Sequence, residues 1–215
     1  QAVGAGEQGR RLMPNDVMAV ESLALIYENG AVYASDALPK ALELYVRAKE
    51  LEPKNPLFSL KLGQVKRAMG DAKPEGAERT ALYTEARDFY SRSIEEKANL
   101  AVAHYNLAII LARLKETDKA IDSAAQAVSI DQKNLNYRYN LAVLYQLRAK
   151  EGDEKKAEDI FTDILKANEK LIDVRLSLGL LYERQGKRQA AIDEYQKIVA
   201  LLPAEAEGNI KQTRD

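Results

Sequence analysis

Tyr105-Asn106-Leu107-Ala108 returns as Tyr139-Asn140-Leu141-Ala142, 34 residues further on. A second echo, Leu141-Ala142-x-x-Tyr145 against Leu178-Gly179-x-x-Tyr182, is offset by 37, and Leu23-Ala24-x-x-Tyr27 and Leu62-Gly63-x-x-Lys66 extend the series backwards. Each is followed by a second signal with four-residue spacing: Ala41 to Tyr45, Ala86 to Tyr90, Ala120 to Ala124, Ala157 to Phe161 and Ala191 to Tyr195. Self-similarity at a period of 20–50 residues is the mark of a stacked repeat architecture. Both signals have helical 3–4 spacing and they alternate, so every unit reads as a pair of helices. Asn55-Pro56 supplies an N-cap before a first-turn proline, and Asp118 and Asp153 stand where second helices start. Pro14, Pro53 and Pro203 fall between units, where a helix has to stop.

These residues resemble the tetratricopeptide repeat family, whose pattern runs W-x2-L-G-x2-Y, then A-x3-F, then P. In that 34-residue register, units begin at Val17, Pro56, Ala101, Leu135 and Ile172 and cover residues 17–205. The last unit keeps most of the pattern: Leu178, Gly179, Tyr182, Ala191, Tyr195 and Pro203. No unit carries the signature Trp; Val20, Ser59, His104, Arg138 and Arg175 stand in its slot. The resemblance implies an all-α fold, a right-handed α-solenoid of about five antiparallel helix pairs. Residues 1–16 read as the remnant of a preceding repeat or an N-terminal cap, with Gly4, Gly6 and Gly9 weakening its helix. Residues 206–215 read as a short polar tail.

Small residues at the eighth and twentieth positions of each unit let the paired helices approach, and aromatics fill the remaining volume. Unit starts lie 39, 45, 34 and 37 residues apart. The excess over 34 falls between the two helices of a unit, near 30–40, 70–80 and 149–156, where loops tolerate added length. Gly70–Gly76 reads as a loop, followed by one long second helix over 77–97.

Composition narrows the function. Of 215 residues, 32 are basic and 33 acidic, a net charge of −1, and basic pairs such as Lys155-Lys156 sit beside acids, so nucleic acid is not an expected partner. No stretch approaches the roughly 18 apolar residues of a membrane span. There is no cysteine and one histidine, His104, so thiolate chemistry is excluded, and no metal ligand set, phosphate loop or nucleophile elbow is recognisable. No cofactor and no enzymatic activity are expected. The compartment stays open between the cytoplasm and, for the soluble part of a membrane or exported protein, the extracytoplasmic side.

Positions 5, 9 and 12 of a unit share a helix face turned away from the signature face. In the tetratricopeptide family this face lines a concave groove that binds peptides. It reads Glu21, Leu60, Tyr105, Tyr139 and Leu176 at position 5 and Leu25, Gln64, Ile109, Val143 and Leu180 at position 9. The Lys and Asn that clamp a terminal carboxylate in some members are missing there, whereas Asn106 and Asn140 match the family's position-6 asparagine ladder. The candidate peptide-binding residues are Tyr105, Asn106, Ile109, Arg113, Asn136, Tyr139, Asn140, Val143 and Gln146, read either as groove or as packing between units. The chain is thus expected to be a non-catalytic scaffold binding a protein, peptide or helix. The resemblance also admits a soluble assembly or regulatory arm of a larger, membrane-embedded bacterial cell-envelope glycan-processing protein. The bare ends suggest continuation of the array, docking on another domain or end-to-end pairing with a second copy.

Overall fold

The computed structural model describes residues 2–202. Among them are eleven α-helices and no strand: α1 Ala2–Leu12, α2 Val17–Gly30, α3 Ala37–Leu51, α4 Pro56–Asp71, α5 Ala77–Glu96, α6 Ala101–Arg113, α7 Thr117–Ile130, α8 Leu135–Arg148, α9 Asp153–Ala167, α10 Ile172–Arg184 and α11 Arg188–Leu201. Pro203 and the polar tail lie outside the described residues. The chain falls into two compact units, one ending at Ile130 and one starting at Asp131. In the first, α2 packs on α3, α4 on α5 and α6 on α7, while α3 with α4 and α5 with α6 join successive pairs. In the second, α8 packs on α9 and α10 on α11, and α9 meets α10. Each unit is a stack of helix pairs, so the fold is the all-α solenoid type.

Local chemistry sets the helix starts. Asp16 caps α2 by accepting from the Ala19 N–H at 2.8 Å, Asn55 caps α4 through Leu57 N–H at 3.0 Å with Pro56 in the first turn, and Asn134 caps α8. Inside each pair the eighth-position residues Ala24, Gly63, Ala108, Ala142 and Gly179 are buried, as are Ala41, Ala86, Ala120, Ala157 and Ala191 at the twentieth. The reason is visible at the glycines. A Cβ on Gly63 would fall 2.6 Å from the Tyr90 ring, and one on Gly179 would fall 2.5 Å from the Tyr195 ring. The aromatic of the second helix occupies the volume that a side chain on the first would need.

One expectation is corrected. Gly70 and Asp71 are not loop but the last turn of α4; the connection is only 72–76. The inserted residues lengthen both helices, and Tyr83 of the 20-residue α5 lies over Gly70, where a Cβ would come within 2.7 Å of its ring. Tyr83 is therefore core, and its hydroxyl donates to Asp71 Oδ1 at 2.6 Å. The shorter insertion in the second unit is a clasp: buried Asp153 accepts from Arg148 Nε at 2.8 Å, Arg148 Nη2 at 2.7 Å and the Lys150 N–H at 3.0 Å. It bridges the turn in which Ala149 adopts φ 52° and Gly152 φ 80°.

The missing Trp is replaced differently in every pair. Val20 joins the apolar core of the first pair. Ser59 Oγ donates to Glu96 Oε2 at 2.9 Å, and Glu96 also holds Lys49 of the preceding pair at 2.5 Å. The His104 ring nitrogen Nε2 meets Ala98 O at 2.9 Å, and Arg138 lies 3.7 Å from Asp163. Arg175 donates from Nη1 to Glu194 Oε2 at 2.7 Å and from Nε to Glu169 O at 2.8 Å.

Candidate functional site

The face opposite the signature residues is built by positions 2, 5, 9 and 13 of the first helices, one stripe at helical spacing. In the first unit it leaves Met18 and Leu25 of α2 and Leu57 of α4 in solvent, and in the second, taken by itself, Leu147 of α8 and Leu176 and Leu180 of α10. Leu176 and Leu180 are 44% and 49% exposed and stand one turn apart. Acids and bases interrupt the stripe in the first unit. There Glu28 accepts from the Tyr45 hydroxyl at 2.6 Å and from Lys61 Nζ at 3.3 Å, tying α2, α3 and α4 together. Burial, and then the bond to Glu28, pushes the Tyr45 phenol well above its ordinary value, so it stays a donor.

The residues singled out from sequence divide between the units. In the first, Tyr105 and Ile109 are half-buried on α6. Asn106 is buried and turns its amide back on its own helix, Nδ2 donating to Val102 O at 2.8 Å. Arg113 ends α6, exposed, 3.6 Å from Asp71 Oδ1. In the second, Asn136 is exposed in the first turn of α8, its backbone N–H bound by the Asn134 cap. Tyr139 and Gln146 converge on one residue of the next first helix: the Tyr139 hydroxyl is 2.9 Å from Ser177 Oγ, and Gln146 Nε2 donates to Ser177 O at 3.3 Å. The Tyr139 ring also lies against Phe161 at 5.8 Å, and Val143 packs on the same core cluster. Asn140 is half-buried, with Oδ1 sequestered from solvent and without a hydrogen-bond partner.

In the second unit, then, Tyr139, Gln146 and Ser177 form a polar seam between α8 and α10, with Leu147, Leu176 and Leu180 exposed on these two helices. The two leucines of α10 were not among the candidates; their position-5 and position-9 register was the signal that could have added them. No group of three or more His, Cys, Asp or Glu side chains that could hold a metal occurs among the described residues. Nor is any helix among them long and apolar enough to cross a membrane. The arrangement offers contacts to another chain rather than a cluster of acid, base and nucleophile.

Residues 101–134 match a family model described as Tetratricopeptide repeat, and residues 173–204 match a second model of the same description. These two segments of the chain carry tetratricopeptide repeats. A TPR repeat-containing protein of Methanocaldococcus jannaschii is 23% identical over 117 residues, 54% of this chain; the chain spans about a fifth of that relative's length. Among solved structures, MamA is similar with a TM-score of 0.68 at 21% identity, over 86% of this chain and 97% of its own. YrrB, described as a TPR protein with an unusual peptide-binding site, gives 0.68 at 16% identity, over 99% of this chain and 100% of its own. PilF of Pseudomonas aeruginosa gives 0.68 at 15%, over 93% and 79%. These are likenesses of fold.

Proposed function

We propose that this protein is a non-catalytic interaction scaffold that takes a peptide or helix from a partner protein on the exposed face of α8 and α10, the first helices of the second unit. The observation that carries the reading is the apolar stripe left in solvent on that face, above all Leu176 and Leu180. Core packing explains buried apolar residues; it does not require exposed ones repeated at positions 5 and 9. The stripe suits the apolar side chains of an amphipathic or extended segment, and the seam of Tyr139, Gln146 and Ser177 beside it offers polar atoms for its backbone. The peptide-binding description of YrrB, a fold relative, agrees with this use of the fold.

Affinity capture from the source organism, followed by mutation of the face, tests the reading. Leu176→Asp with Leu180→Asp is expected to abolish capture of the partner while the thermal melt moves little, since both side chains are already half in solvent. Asn106→Ala with Asn140→Ala separates the roles of the asparagines: lost capture with an unchanged melt assigns them to the partner, and a lowered melt with unchanged capture assigns them to the fold. Retained capture in the leucine variant would refute the site.

A further inference from the structure

A second surface lies in the first unit. Between α1 and α3, above α2, a cleft of about 870 Å³ opens to solvent. Its floor is apolar: Val20, Leu23 and Tyr27 of α2 with Leu44 of α3, all nearly sealed. The cleft exists because α1 settles low on α2 through Gly6, where a Cβ would fall 2.8 Å from Leu23 Cδ1 and 3.1 Å from Ile26 Cδ1. No residue of α1 is buried, so none fills the space towards α3.

The walls are charged, and most of the charges are already matched. Glu7 accepts from the Tyr27 hydroxyl at 2.8 Å, and Lys40 pairs with Asp36 at 2.7 Å. Arg47 donates to Asn15 Oδ1 at 2.7 Å and to Glu50 at 3.0 Å. Arg10 and Arg11 of the α1 wall and Glu43 of the α3 wall are without an ion-pair partner among the described residues. Val46 is exposed on the opposite wall. Last-turn arginines do complement the dipole of α1, by about 0.3–1 kcal/mol. That accounts for their sign. It does not account for their standing across an apolar floor from the exposed Val46.

We infer that this cleft docks an acidic amphipathic segment of a partner protein, its carboxylates on Arg10 and Arg11 and its apolar side chains on Val46 and over the floor of Leu23, Tyr27 and Leu44. Charge selects the occupant: two unmatched guanidiniums favour carboxylates, which they bind in bidentate fashion, and repel a basic segment. The surface is separate from the first-helix face, so one can fail while the other stands.

The test uses the whole chain and a fluorescent synthetic peptide of about four helical turns, with glutamates on one face and leucines on the other. Its companion carries lysine for every glutamate. Anisotropy titrations are expected to show binding of the glutamate peptide, at least about tenfold weaker binding of the lysine peptide, and weakening as salt rises from about 0.05 to 0.3 M. Arg10→Glu with Arg11→Glu is expected to reduce affinity about tenfold or more. Val46→Glu, which leaves α1 untouched, is expected to reduce it as well. Circular dichroism confirms that each variant is folded. Absence of binding up to about 1 mM, equal affinity for both peptides, or unchanged affinity in both variants would overturn the inference. So would loss of binding in Leu176→Asp with Leu180→Asp alone, which places the peptide on the first-helix face. Sedimentation equilibrium covers the remaining occupant: a dimer dissolved by the arginine variant would make a second copy the ligand and overturn the inference too.

Discussion

Arg175 and Glu194 face each other across the last helix pair at 2.7 Å, both buried, in the slot that the family fills with tryptophan. A buried ion pair of this kind is costly to break from one side, because the remaining charge stays in a poor solvent; here Glu194 would keep only Lys197, 2.6 Å from its other oxygen. Arg175→Ala is expected to destabilise the second unit by about 3 kcal/mol. Replacing both partners, Arg175→Met with Glu194→Leu, is expected to be neutral or stabilising. Urea unfolding of the two variants beside the parent chain checks the contrast.

The close approach of Gly179 to Tyr195 and of Gly63 to Tyr90 leaves no room for a side chain. Gly179→Leu is expected to cost on the order of 1–3 kcal/mol through overpacking, and Ala120→Leu the same. A thermal melt unchanged in either variant would show that the pairs pack otherwise than described.

Asp153 gives the second unit an acid limit. The Arg148 guanidinium bound to it, aided by the Lys150 N–H and against the effect of burial, holds its carboxyl at about 2, below the ordinary 3.8. The folded value is the lower one, so the stabilisation is complete above the unfolded pKa and is lost as pH falls through 3.8 towards 2, about 2 kcal/mol in all. Denaturant titrations at a series of pH values from 5 to 2 should show this slope in the parent chain and a shallower one in Asp153→Asn.

Two tyrosines at the same repeat position should answer differently to loss of the hydroxyl. Tyr45 donates to Glu28, and Tyr45→Phe is expected to cost about 1–2 kcal/mol. The Tyr90 hydroxyl is fully buried beside Arg67 but makes no well-formed hydrogen bond, so Tyr90→Phe is expected to leave stability unchanged or raise it by up to about 1 kcal/mol. Paired chemical denaturation curves decide between the two outcomes.

The helix pairs were legible in the sequence because they rest on a local rule repeated five times: small residues at positions 8 and 20, and in most pairs an aromatic four beyond the second. Burial of Ala24, Ala86 and Ala157 needs nothing more than that spacing. Tyr83 was not legible, since its place in the core depends on an insertion that extends α5 far enough to meet Gly70. The Trp-slot partners were hidden as well. Ser59 and Glu96 are 37 residues apart, and only the folded pair brings them within 2.9 Å. The candidate face was half readable. Register put Tyr139 and Val143 on it, but their packing against the Phe161 cluster is a property of three dimensions.

Those slot partners bear on how the chain folds. A molecule made of like segments can join a helix to the wrong neighbour, and such mispairing is a common failure of repeated sequences. Here the fourth position holds valine, serine, histidine and two arginines in turn, each met by different atoms. An Arg175 helix laid where Ser59 belongs would force a long side chain into a fully buried space sized for serine, where Glu96 is already paired with Lys49. The differences that blur the family signature thus act as addresses, directing each segment to its own mate.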